Sequence, residues 1–145
     1  MKRLGLAIGL TLLASSASAD NRIRRLLLTT SVTGNVIERM SYELRERVRA
    51  SHGYRLVESR QDADYILVLN GFDTKIPWLA VYSVTLLAPE SPRSPLDYHL
   101  ADYVATCPSS EVATCATSAI AFADETLESM TRAANAPAPV APRPQ

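Results

Sequence analysis

Hydrophobic and polar positions alternate in two rhythms along this chain, and the switches between them mark out its elements. Arg24 to Thr30 holds Leu26-Leu27-Leu28 before two threonines and Gly34, which predicts a short buried strand ending in a turn. Next, Val36, Ile37, Met40, Leu44 and Val48 recur at helical spacing and form one apolar stripe. Asn35 with Glu38 resembles a capping box at its start, and Gly53 is expected to stop it in a left-handed conformation after Ser51-His52. Arg39, Glu43 and Arg47 stand four apart on its outer side, as on a solvated helix.

Tyr54 to Glu58 alternates like a half-buried strand. After a polar link, Tyr65-Ile66-Leu67-Val68-Leu69 is apolar at every position and predicts a central strand covered on both faces. Gly71 to Pro77 is read as its break. Trp78 to Leu87 is a further β-rich run, closed by Pro89, Pro92 and Pro95, and Leu96 to Thr106 reads as its hairpin partner. A second helix is expected from about Thr117, with Ile120, Ala123, Leu127 and Met130 on one face and Thr117 or Ser118 as the cap. The element order is β-α-β-β-β-β-α. It implies a two-layer α+β sandwich with a mixed, mostly antiparallel sheet and both helices on one face. The crossover through the first helix is expected to be right-handed.

The ends of the chain follow other rules. Residues 1 to 19 carry Lys2 and Arg3, an apolar run from Leu4 to Leu13, and small residues ending Ala17-Ser18-Ala19, the three-part pattern of a signal peptide cleaved before Asp20. The apolar run is half of the roughly 20 residues that span a bilayer. No cysteine at the cleavage point offers a lipid attachment site, and no later stretch is apolar enough to span a membrane. From Ala133 onward, four prolines among 13 residues predict a disordered or polyproline-like tail. The expected organisation is a signal (1–19), one α+β domain (20–132) and a tail (133–145), with the mature protein periplasmic if the host has two membranes.

Composition narrows the classes of function. Of 145 residues, 47% are hydrophobic and 21% charged, as in a globular protein rather than a disordered chain. Removing Lys2 and Arg3 with the signal leaves 13 basic against 15 acidic residues, a net charge of −2, which offers nucleic acid no basic surface.

One stretch bears a resemblance. The amphipathic helix from Val36, the run Gly53-Tyr54-Arg55-Leu56-Val57-Glu58, the polar link and Ala63-Asp64-Tyr65-Ile66-Leu67-Val68-Leu69 together resemble a pattern of bacterial envelope-assembly proteins. It is similar to the lipoprotein that helps insert lipopolysaccharide, to the curli-secretion lipoproteins and to the amino-terminal domain of the Tol-system translocation protein. The resemblance implies a small α+β domain that binds other envelope components. It covers about 36 residues and departs from the lipoproteins in lacking the lipid-anchor cysteine; the Cys107 to Cys115 segment has no counterpart.

Candidate chemistry is sparse. Cys107 and Cys115 are an even pair in an exported chain, which favours a disulfide. A redox pair wants a C-x-x-C spacing, and a metal site wants more ligands than the sequence gathers. His52 belongs at a helix end, where a cationic ring suits the dipole. His99 with Asp97 or Asp102 allows part of a Ser-His-Asp set, but no nucleophile elbow accompanies it. Asp62 and Asp64 punctuate a turn. Five glycines, two of them in the signal, form no phosphate loop. No cofactor, metal or catalytic set is expected.

The more informative residues are Lys75, Ile76, Pro77 and Trp78, which place the only tryptophan and the only lysine outside the signal beside a proline at a strand entrance. An exposed tryptophan is a common interface anchor, whereas a buried one here would only close the end of the core. Arg22, Arg24 and Arg25 are either a basic patch for an anionic partner or a charged strand edge. The expected function is a non-enzymatic accessory protein that binds another component of an envelope or secretion assembly. The alternative is a periplasmic inhibitor or immunity protein directed at a toxin or hydrolase.

Overall fold

The computed structural model describes residues 23–136. The expected signal, Arg22 and the tail from Pro137 lie outside the described residues. The elements run β1 (Arg24–Thr33), α1 (Asn35–Ala50), β2 (Tyr54–Val57), a single 3-10 turn (Arg60–Asp62), β3 (Tyr65–Asp73), β4 (Leu79–Pro89), β5 (Asp97–Pro108) and α2 (Val112–Ala134). The strands form one sheet in the order β2-β1-β3-β4-β5, which puts the continuous apolar run of β3 at its centre. β1 pairs in parallel with β2 and β3, while β3, β4 and β5 pair antiparallel in succession. The class is α+β in the expected order, and the pairings divide evenly between parallel and antiparallel.

Both helices cover one face of this sheet. Alternate residues of three strands, Leu26 and Leu28, Leu67 and Leu69, and Tyr82, Val84 and Leu86, point to that face and are at most 7% exposed. They meet the stripe of α1, where Val36, Ile37, Met40, Leu44 and Val48 are all buried. Each such aliphatic side chain contributes about 1.5–3 kcal/mol through removal from water.

Two glycines bring α1 onto the sheet. A Cβ at Gly71 would stand 2.8 Å from Ile37 Cγ1 and 2.9 Å from the carbonyl oxygen of Val81, so only hydrogen fits between helix and strand. Gly71 therefore lies inside β3, and the break expected there begins only after Asp73. The helix start also differs from the capping box expected at Asn35. The N-cap is Gly34 at φ +120°, a conformation open to glycine, and it has no side chain to offer. Asp73, at the end of β3, supplies the cap instead: its carboxylate accepts the backbone N–H groups of Val36 at 3.0 Å and Ile37 at 3.1 Å. At the other end Ser51 caps α1 in an extended conformation, and Gly53 is not left-handed.

The second helix begins five residues before the expected Thr117. Val112, Cys115, Ala116, Ala119, Ala123 and Leu127 are its buried residues, whereas Met130 is 44% exposed. Thr117 and Ser118 lie within the helix and donate their hydroxyls back to the carbonyls of Ala113 and Thr114 rather than capping it. α2 also takes in Ala133 and Ala134, the expected first residues of the tail. The disulfide Cys107–Cys115 ties the end of β5 to α2 with both cysteines buried, its Cα atoms 6.0 Å apart.

Candidate partner-binding surface

The connection between β3 and β4 is held as a turn. Ile76, Pro77, Trp78 and Leu79 form it: Leu79 N–H donates to the carbonyl of Ile76 at 3.0 Å, with Pro77 at the position its fixed φ favours. Thr74 braces the turn from outside. Its backbone N–H and its hydroxyl donate to the Leu79 carbonyl, and the hydroxyl oxygen accepts the N–H of Ile76 at 3.1 Å. The carbonyl of Trp78 accepts Ser109 N–H at 2.7 Å, fastening the turn to the segment after β5. The backbone is thus fixed while the side chains are offered to solvent: Ile76 is 44% and Trp78 55% exposed, with Lys75 and Pro77 also exposed. Trp78 does not close the core.

Beside this turn lies the sheet face that the helices leave free. Register places its side chains in rows across the strands. One row is Thr33, Phe72, Val81 and Thr106, the next Ser31, Asn70, Ser83 and Val104, and a third Thr29, Val68, Thr85 and Asp102. Threonine and serine dominate, but Phe72 is 56% and Val104 68% exposed. Phe72 shares the turn's end of the sheet. At the opposite end Ile66 faces the same way yet is only 5% exposed. There the 3-10 turn and the β4–β5 connection are clamped by Arg60, which donates to the carbonyls of Ser94 and Leu96 and pairs with Asp97. Large apolar exposure on this face is therefore confined to the end carrying the Trp78 turn and to the β5 edge.

Most of the remaining candidates find local partners. Arg25 pairs with Asp64 at 2.7 Å, and Arg24 lies 3.6 Å from Asp124 and 6.0 Å from the Tyr54 ring centre, so the two described arginines of the basic cluster are held within the domain. The Asp64 carboxylate raises the Arg25 pKa. Asp62 ends the 3-10 turn, and His52 is exposed after α1. His99 and Asp102 meet at 2.9 Å because an irregularity in β5 skips Leu100 and brings both to the free face. Their side chains are 58% and 55% exposed, and no hydroxyl is bonded to His99 among the described residues. Among the described residues no group of three or more His, Cys, Asp or Glu side chains is gathered to hold a metal, and no helix is long and apolar enough to cross a membrane.

Two tyrosines of the covered side are perturbed. Burial pushes the Tyr54 hydroxyl up, and its 2.6 Å bond to the Asp124 carboxylate adds to the shift. Burial likewise raises Tyr103, whose hydroxyl lies 3.3 Å from that of Tyr82 and whose ring packs on Phe122. Both groups tie the sheet to α2 or to a neighbouring strand. A shallow polar cleft of about 500 Å³ opens where α1 and α2 begin, lined by Glu38, Arg39, Tyr42 and Ser110 among others.

The sequence reading missed Phe72 and Val104. Phe72 falls within the expected break at Gly71 to Pro77, although the alternation Leu67, Leu69, Gly71 against Val68, Asn70, Phe72 carries the signal. Val104 alternates with Tyr103 and Ala105 in the same way, but its exposure depends on which face the helices cover. Together these features define a two-layer α+β domain with one covered sheet face, one free face and an apolar turn at the end of the sheet. No protein-family model matches the chain, and no match to it was found among curated proteins.

Proposed function

We propose that this protein is a non-enzymatic accessory protein, exported with removal of residues 1–19, that binds another component of a periplasmic envelope or secretion assembly. Its contact surface is the Trp78 turn with Phe72. The observation that carries the reading is the rigid display of Ile76 and Trp78: three backbone hydrogen bonds hold a turn whose large apolar side chains do not serve the core. Aromatic side chains on a preorganised loop give binding energy at low entropic cost. The disulfide fits an oxidising compartment.

The test is chemical crosslinking of the tagged protein in cells, with wild type and Trp78→Ala compared and the captured proteins identified by mass spectrometry. A specific envelope or secretion component, lost in the variant, is the expected result. Capture of a toxin or hydrolase through the same residue replaces this reading with an inhibitor or immunity protein, and capture unaffected by Trp78→Ala removes the turn from the contact.

A further inference from the structure

The sheet has two edges, and they are unlike. At one, β2 offers four residues; at the other, β5 runs for twelve, with no strand among the described residues on its outer side. Among the described residues no backbone hydrogen bond other than those of the β4 ladder reaches residues 98–107. Such an edge presents unpaired N–H and C=O groups to any other strand, and chains blunt it with lysine, proline or bulges. β5 has two of these devices, and both are at the ends of one segment. The register shift at Leu86/Leu87 leaves Leu100 unpaired, and Pro108 closes the strand. Between them Ala101 to Cys107 is regular and contains no proline, lysine or glycine.

The middle residue of that segment is Val104, at 68% the most exposed of the large hydrophobic residues described. An antiparallel pair of identical strands uses the whole segment only if its two-fold axis passes through this residue. Val104 then meets Val104 of the second copy, Asp102 meets Thr106, Tyr103 meets Ala105 and Ala101 meets Cys107. Three of the pairings suit their side chains, while Cys107 is fully buried in its disulfide and closes the ladder opposite Ala101. Two exposed valines cover each other, a carboxylate faces a hydroxyl that can donate to it, and a ring faces a methyl group. Moving the axis to Asp102 sets two carboxylates opposite each other, and moving it to Tyr103 opposes two rings already packed on Phe122.

We propose that two copies of this chain pair edge to edge through β5, antiparallel about Val104. Paired residues share a face, so the product is one continuous sheet with the helices of both copies on one side and a free face twice as wide on the other. The pairing buries less area than an obligate interface and is concentration-dependent. It does not rest on the Trp78 turn, whose side chains are not among the paired residues.

Sedimentation of the protein purified after export, from micromolar to millimolar concentration, reads the association. The expected mass rises from one chain to two. Val104→Lys puts two like charges on the axis and is expected to stay monomeric with an unchanged melting curve, since the side chain is exposed. Val104→Cys fixes the register: opposed Cα atoms in an antiparallel pair are about 4.5–5.5 Å apart, within the ~4.4–6.8 Å that a disulfide spans, so mild oxidation is expected to yield a covalent dimer. Thr106→Cys is the control, because its own copy lies four residues away, about 13 Å along the strand. A monomer at every concentration overturns the proposal. So does a dimer that survives Val104→Lys, or a Thr106→Cys crosslink as efficient as that of Val104→Cys.

Discussion

The two faces of the sheet are built from the same strands, one residue apart, and they behave as different materials. On the covered face Leu67, Leu69, Val84 and Leu86 are fully buried against α1 and α2, and even the gap at Gly71 is filled by Ile37. On the free face their neighbours in sequence are Val68, Asn70, Ser83 and Thr85, small and mostly polar, with Phe72 and Val104 standing out into solvent. A residue's contribution therefore depends on its parity in the strand more than on its hydrophobicity. The covered face supplies stability, and the free face with its adjoining turn is available for contact.

Substitutions on the covered face carry the largest expected effects. Leu67→Asp places an unpaired carboxylate in the central strand under α1, a cost of more than about 4 kcal/mol that prevents folding; a soluble variant with cooperative melting would contradict the assignment of this face. Reducing Cys107–Cys115 opens a nine-residue loop and is expected to cost about 2–3 kcal/mol in the chain-entropy model, read as a lower denaturant midpoint. An unchanged midpoint would mean that the tie between β5 and α2 contributes nothing. Gly71→Ala forces a methyl group into the helix–strand contact and is expected to cost about 1–3 kcal/mol; no loss would mean that α1 can lift off the strand freely.

Alkaline pH tests the same face without mutation. The Tyr54 and Tyr103 hydroxyls titrate above their ordinary value of 10.0 in the folded chain, so the unfolded chain loses these protons first. Their contribution to stability is complete below pH 10.0 and falls as pH rises beyond it. Tyr103→Phe should make that alkaline decline shallower in melting curves, and an equally steep decline would assign it to other groups. The free face gives the smallest effect. Phe72→Ser is expected to leave stability within about 0.5 kcal/mol, and a cooperative loss of several kcal/mol would show that Phe72 serves the core after all.

Residues whose role is set by neighbours in sequence were legible before the structure. The five-residue stripe of α1 follows from helical period, and the apolar run of β3 marked the centre of the sheet. What escaped depends on distant parts of the chain. Asp73 caps α1 across 37 residues, a bond that no local pattern announces. Gly71 looks like a strand breaker until Ile37 is seen to occupy its missing Cβ. α2 starts early because alanines and a disulfide cysteine form its buried stripe, whereas Thr117 and Ser118 imitate a cap. For the candidate surface, Trp78 and Ile76 stood out by residue type in a proline-containing segment. Phe72 and Val104 did not, because their exposure follows from where both helices lie.

Site-specific photocrosslinking in cells tests the division between the faces most directly, with a photoreactive residue placed in turn at Phe72, Trp78 and Tyr42. Tyr42, 64% exposed on α1 beside the polar cleft, reports the helix side. The expected result is one shared heterologous adduct from positions 72 and 78 and none from 42. An adduct from 42 alone would move the contact surface to the helices and contradict the account.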